Sequence, residues 1–235
     1  MTESKPRGYL EQSRDMTNAL ILVVPLLALY ELGLLLTNFQ ALNGVDFATI
    51  FILSHAGWKG LLVFNLGLLL AITVAAGARQ REKAFTTGIV PLLLVESTFY
   101  ALSLGVLINL ILGRLPLGPS GEMGPLTGFF ASLGAGVNEE LFFRLGLLQV
   151  LAWVLARGKK DRPAATAVAA ILSSLAFSAA HYMGPEPFRV YSFLYRFLAG
   201  LIFAAIFLGR GFAVAVYTHA IYDIYVLVVL ALIPR

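Results

Sequence analysis

Long apolar runs of about 20 residues, separated by short polar or charged connections, dominate the chain. Each run is long enough to cross a hydrocarbon core roughly 30 Å thick as a helix. The pattern predicts seven such helices, at about 17–37, 58–77, 86–112, 126–156, 164–183, 191–208 and 212–233. The fourth is the odd one. At 1.5 Å per residue it would be roughly 46 Å long, so it must tilt, project or break. Gly128, Gly134 and Gly136 offer places to bend. No internal repeat, low-complexity tract or soluble domain interrupts the series.

Composition sharpens the class. Of 235 residues, 59% are hydrophobic and 13% charged, and the mean hydropathy is +0.83. Soluble domains are about 45–50% apolar and about 25% charged. The expected fold is therefore all-α: one polytopic transmembrane bundle of about seven spans. The net charge of +4 informs topology, not nucleic-acid binding, and no nucleic-acid partner is expected. With no cysteine, disulfides, thiolate metal sites and a cysteine nucleophile are excluded together. The polar start "MTESKPRGYLEQSRDM" is followed by an apolar run without an A-x-A-like site after Leu36, so that run is read as a spanning helix.

Positive charge is distributed unevenly. The N-terminal segment, 78–85, 157–163 and Arg210 hold eleven Lys or Arg residues, against Lys59, Arg114, Arg189 and Arg235 on the other side. The positive-inside bias predicts a cytoplasmic N-terminus, and seven spans then put the C-terminus outside.

Against this background the intramembrane charges stand out: Glu31, Glu96, Glu139, Glu140, Arg144, Arg196 and Asp223, with His181 and His219. A central charge costs at least about 2.5–3.5 kcal/mol on insertion scales, so such groups face a cavity or pair with one another. Glu31 and Arg196 sit near span ends and are expected to snorkel or pair. Glu96 is deeper and belongs to no motif. His55, beside Gly57 and Trp58, is expected in an external, interfacial loop.

In "GVNEELFFRL", Glu140 and Arg144 are spaced i,i+4 with the acid first, the better orientation for a helix pair. Glu139 points about 100° away and is left without an evident partner. An unpaired carboxylate there suits a general acid or base. "FSAAHYMG" puts Phe177 one turn before His181, and "YTHAIYDIY" puts His219 and Asp223 on one face. Two carboxylates and two imidazoles from three helices meet only in a bundle interior. Together they could hold a water, deprotonate it and stabilise an oxyanion.

Glu139-Glu140-x-x-x-Arg144, Phe177-x-x-x-His181 and His219-x-x-x-Asp223, in order and each in its own predicted span, resemble the motifs of the CAAX-protease and bacteriocin-processing family. This family, also called Abi or type II CAAX prenyl endopeptidases, comprises intramembrane glutamic endopeptidases. The resemblance covers about 125–233. It implies a four-helix catalytic core at 126–235, with a polar tail and three accessory helices at 1–125. It further implies that Glu139 and His181 activate the attacking water and that Arg144 holds Glu140 in place. Phe177 would support the site, and His219, with residue 223, would support the oxyanion. Family members often carry Asn at the last position. An ionised aspartate only accepts hydrogen bonds, so Asp223 either orients His219 or acts protonated. The implied partners are a membrane-tethered protein or peptide substrate and the lipid bilayer, and no cofactor is required. The short chain without extra domains is expected in a prokaryotic plasma membrane.

Other readings remain. Zinc accepts the ligand set Glu139, His181, His219 and Asp223, although no H-E-x-x-H is present. "GPSG" at 118–121 with His181 suggests a rhomboid-like serine protease built on Ser120. Membrane acids and histidines also serve transporters and scaffolds. Counting along helices puts Glu139 and His181 roughly 25 Å from the inner ends of their spans. His219 counts nearer the inner side. The predicted site opens outward, whereas prenylated substrates would call for cytosolic access.

Overall fold

A computed structural model describes residues 8–81, 85–113, 123–157, 162–183 and 186–232. The protein is all-helical, and no strand occurs among the described residues. A short helix α1 (Tyr9–Arg14) leads into α2 (Met16–Leu36), α3 (Phe47–Arg81) and α4 (Val90–Leu112). One continuous helical stretch follows, made of α5 (Pro125–Gly134), a π-helical segment (Ala135–Leu148) and α6 (Gln149–Ala156). Then come α7 (Arg162–Ala180), α8 (Val190–Arg210) and α9 (Phe212–Ile224), which continues through a π-helical turn at Tyr225–Val229.

Six helices among the described residues are long and apolar enough to cross a membrane. The predicted fourth run is present as well, at 125–156, but carries Glu139, Glu140 and Arg144 and changes helix type twice. This is an integral membrane protein. Its second span begins earlier than predicted, at Thr49 on a helix that starts at Phe47, and breaks at Gly57, where φ is +61°. His55 consequently lies on a helix ahead of the break, exposed and stacked on Phe51 at 4.3 Å, and not in a loop. α7 ends at Ala180, so His181 occupies the turn just beyond it. Ser120 and the rest of "GPSG" lie outside the described residues.

α9 is the central helix. Every residue from Phe212 to Ala220 is buried, as expected for a helix apolar on all sides. It packs against α2, α4, α5, the π-helical segment and α8. The turn into it is tight because Gly211 adopts φ +102°, and a Cβ there would meet the Ser13 carbonyl oxygen at 2.8 Å. Such a backbone is readily adopted only by glycine. α3 is the opposite case, packed along α2 with most of its surface facing outward.

The outlying intramembrane charges are paired or buried. Glu96 accepts hydrogen bonds from Arg210 and from Tyr9, drawing α4, α8 and α1 together at one end of the bundle. Arg196 grips Glu186 with two bonds, at 2.9 and 2.8 Å. Those bonds hold the loop carboxyl of Glu186 below its usual range. Glu31 does not snorkel. It is buried between α2 and α3, where the Thr49 hydroxyl donates to it at 3.3 Å.

Candidate active site

The glutamates sit on the π-helical segment, where the wider i→i+5 turn departs from the geometry of the flanking helices. Such departures are frequent at functional sites. This stretch reaches α9 because Gly136 has no side chain. A methyl group added there would stand 2.8 Å from the Ala220 Cβ and 2.9 Å from the Val216 carbonyl oxygen. Backbone atoms cannot yield as a side-chain tip can. Gly136→Ala is therefore expected to cost about 1–3 kcal/mol and to lower the thermal unfolding midpoint of detergent-solubilised protein.

Arg144 and Glu140 are fully buried, and Arg144 Nη1 lies 3.3 Å from Glu140 Oε1, as the spacing predicts. The guanidinium also donates from Nη2 to the Gly200 carbonyl oxygen at 3.3 Å. It sits 4.3 Å from the Phe177 ring centroid and 5.5 Å from that of Phe203, within cation–π range. Phe177 thus bridges the motifs, packing edge-on against both His181 and His219.

Glu140 has a second role in the geometry that its spacing does not reveal. Its Oε1 lies 2.8 Å from His219 Nδ1. A carboxylate only accepts, so the proton belongs on Nδ1, and Nε2 is turned toward the other acids. The ring is further fixed by Phe203, stacked on it at 4.4 Å with 17° between planes. His219 Nε2 lies 3.5 Å from Asp223 Oδ2 and 3.9 Å from Glu139 Oε2.

His181 Nε2 lies 3.9 Å from the same Glu139 oxygen, with its Nδ1 against the Phe177 carbonyl oxygen at 2.9 Å. The bond to that carbonyl places the proton on Nδ1 here as well. Glu139 Oε2 is buried and makes no hydrogen bond with any described residue. Its other oxygen is held from an unpredicted quarter. Asn43, on the α2–α3 connection, donates from Nδ2 to Glu139 Oε1 at 2.9 Å.

All the motif side chains therefore gather in one cluster. Two corrections follow. Glu139 is not without a partner, because Asn43 reaches it from a loop that periodicity cannot place. His219 does not lie at a different depth from His181, since both approach one carboxylate oxygen; staggered helix ends make counting from those ends misleading. Asn43 and Phe203 were missed because neither belongs to a repeated spacing. No sequence signal would have separated Phe203 from its apolar neighbours. Among the described residues, no group of three or more His, Cys, Asp or Glu is arranged to hold a metal ion.

No curated protein and no solved structure matches the chain. Residues 122–225, the stretch that holds every motif residue of this cluster, match the family model described as type II CAAX prenyl endopeptidase, Rce1-like. The matched stretch is thus similar to CAAX-type prenyl endopeptidases, and together with the spanning helices this makes the protein a membrane-embedded peptidase.

Proposed function

We propose that the protein is a glutamic endopeptidase that cleaves a membrane-tethered protein or peptide, with Glu139 as general base. One observation carries this reading: a buried carboxylate oxygen, Glu139 Oε2, lies 3.9 Å from the Nε2 atoms of both His181 and His219. That spacing is too long for a direct hydrogen bond and suits a bridging water. In the proposed reaction Glu139 takes a proton from that water, and His181 helps to orient it. The hydroxide adds to the scissile carbonyl carbon. His219, held at Nδ1 by Glu140 and protonated on both nitrogens, donates from Nε2 to the resulting oxyanion in place of its contact with Asp223. Collapse breaks the C–N bond, and the proton held by Glu139 passes to the leaving amine. In this reading 126–235 is the catalytic core and 1–125 is accessory to it.

Chain geometry and the charge bias together support access from outside. Asn43 and His181 both come from connections at the end of the bundle where α2 and α7 finish. With the N-terminus cytoplasmic, as the charge bias favours, that end faces outward. Substrates trimmed there would include proteins with a membrane-embedded sorting helix. Because the chain lacks cysteine, Phe188→Cys, at an exposed position on the α7–α8 connection, gives a clean topology reporter. A membrane-impermeant maleimide is expected to label it in intact cells. Labelling only after permeabilisation would reverse the orientation.

The activity itself is tested by comparing membrane-protein termini by mass spectrometry in a deletion strain. The strain is complemented with wild type or Glu139→Gln. New termini dependent on wild type are expected, and they identify the substrate. The same termini in both strains would remove Glu139 from the chemistry.

A further inference from the structure

We propose that Asn43, well outside the matched segment, is a positioning residue for Glu139: its amide fixes one carboxylate oxygen so that the other is presented to the attacking water. This rests on the general-base reading above. A glutamate carboxylate turns in a broad, roughly two-fold torsional well, so an unanchored Glu139 would present either oxygen in a range of orientations. The 2.9 Å bond from Asn43 Nδ2 to Oε1 removes that freedom and leaves Oε2 toward His181 and His219.

Asn43 is itself held from every polar atom of its side chain. Its Oδ1 accepts from the Val45 N–H at 2.7 Å, a local turn that also settles which way the amide faces. Reversed, the amide would set its oxygen against a carboxylate oxygen and its nitrogen against an N–H, losing both bonds. The backbone N–H of Asn43 donates to the Tyr30 hydroxyl at 3.2 Å. Tyr30 in turn donates to Asp46 Oδ2 at 3.0 Å, and Asp46 Oδ1 accepts from the Thr49 N–H at 3.0 Å. The Tyr30 ring is fully buried and lies directly against Gly134, on the same continuous helical stretch as Glu139. The α2–α3 connection is thus anchored to the element whose carboxylate it orients. This gives the N-terminal helices a part in the chemistry.

Two variants separate positioning from loop-building. Asn43→Asp keeps the oxygen that receives the Val45 N–H but exchanges the donor for an acceptor facing Glu139. Asn43→Ala loses both. The readout is the initial rate at which wild-type-dependent termini accumulate in membranes of the deletion strain, per amount of protein that extracts as a monodisperse species. At neutral pH, Asn43→Asp is expected to fall about 10- to 100-fold, the size of one hydrogen bond to a charged group. As the pH is lowered, an aspartic acid regains an O–H donor, so the Asn43→Asp rate should rise relative to that of Asn43→Ala. His181, His219, Asp223, Glu140 and Arg144 also surround Glu139, but they are common to both variants, so a pH-dependent divergence between the two originates at residue 43. Full activity of Asn43→Asp beside an impaired Asn43→Ala would reduce Asn43 to a turn residue. Equal losses with no change in the ratio would assign the effect to packing. Both results overturn the proposal while leaving Glu139 as base. Wild-type rates in Glu139→Gln would instead remove the base, and this inference with it.

Discussion

Glu139→Gln is expected to abolish turnover while leaving the protein folded. The substitution preserves side-chain volume and an oxygen that can accept from Asn43, but the amide cannot take a proton from water. General-base contributions are typically about 10²–10⁴-fold, so kcat should fall by about three orders of magnitude. The check is a rate comparison on the substrate that terminus profiling identifies, using protein reconstituted in proteoliposomes. Thermal unfolding should be nearly unchanged, because Glu139 Oε2 has no hydrogen-bond partner among the described residues to lose. Glu140→Gln should behave differently, although it alters the adjacent residue. It removes the charge that balances Arg144 and that strengthens the 2.8 Å bond from His219 Nδ1, leaving only a neutral amide oxygen there. A folded but inactive Glu139→Gln beside a destabilised Glu140→Gln would distinguish the two acids by function. Retained activity in Glu139→Gln would remove the glutamic mechanism.

Arg144→Met is expected to have the largest effect on stability. Arg144 and Glu140 are both fully buried, so methionine leaves a buried carboxylate that has lost its guanidinium and keeps only the His219 imidazole beside it. Removing one partner of a buried pair typically costs about 3–5 kcal/mol. The surrounding rings of Phe143, Phe177 and Phe203 offer no replacement for the charge. The measurement is thermal unfolding in detergent of the single variant and of Arg144→Met combined with Glu140→Gln. The double variant should regain much of the loss, because both charges leave together. It should still be inactive, since His219 no longer has a carboxylate at Nδ1. A stable Arg144→Met single variant would mean that Glu140 finds another cation or a proton, and the pair would no longer be the structural anchor of the site.

The span pattern was legible because burial in a bilayer is a local property of the chain. Each run must satisfy its backbone hydrogen bonds internally, and length and polarity record that requirement residue by residue. The same holds for the i,i+4 pairs. Glu140–Arg144 and His219–Asp223 lie close because of helix pitch alone, whatever surrounds them. Where the helix is irregular, local pattern no longer marks its bounds. The α3 helix extends back to Phe47 through polar residues such as Ser54 and His55, which a hydropathy pattern takes for a loop. The π-helical turn around the glutamates has no signature in composition.

By itself, then, the sequence determined an all-helical membrane protein and the acids and imidazoles that a water-activating site needs. It also determined which glutamate is paired within its own helix. Only the tertiary structure decided that His219 Nδ1 bonds Glu140, that Phe203 stacks on that ring, and that Asn43 holds the remaining glutamate from a distant loop. The physical reason is range. Helix periodicity relates residues three or four apart, whereas Asn43 and Glu139 are 96 positions apart and meet only because α2 packs against α5 and α9.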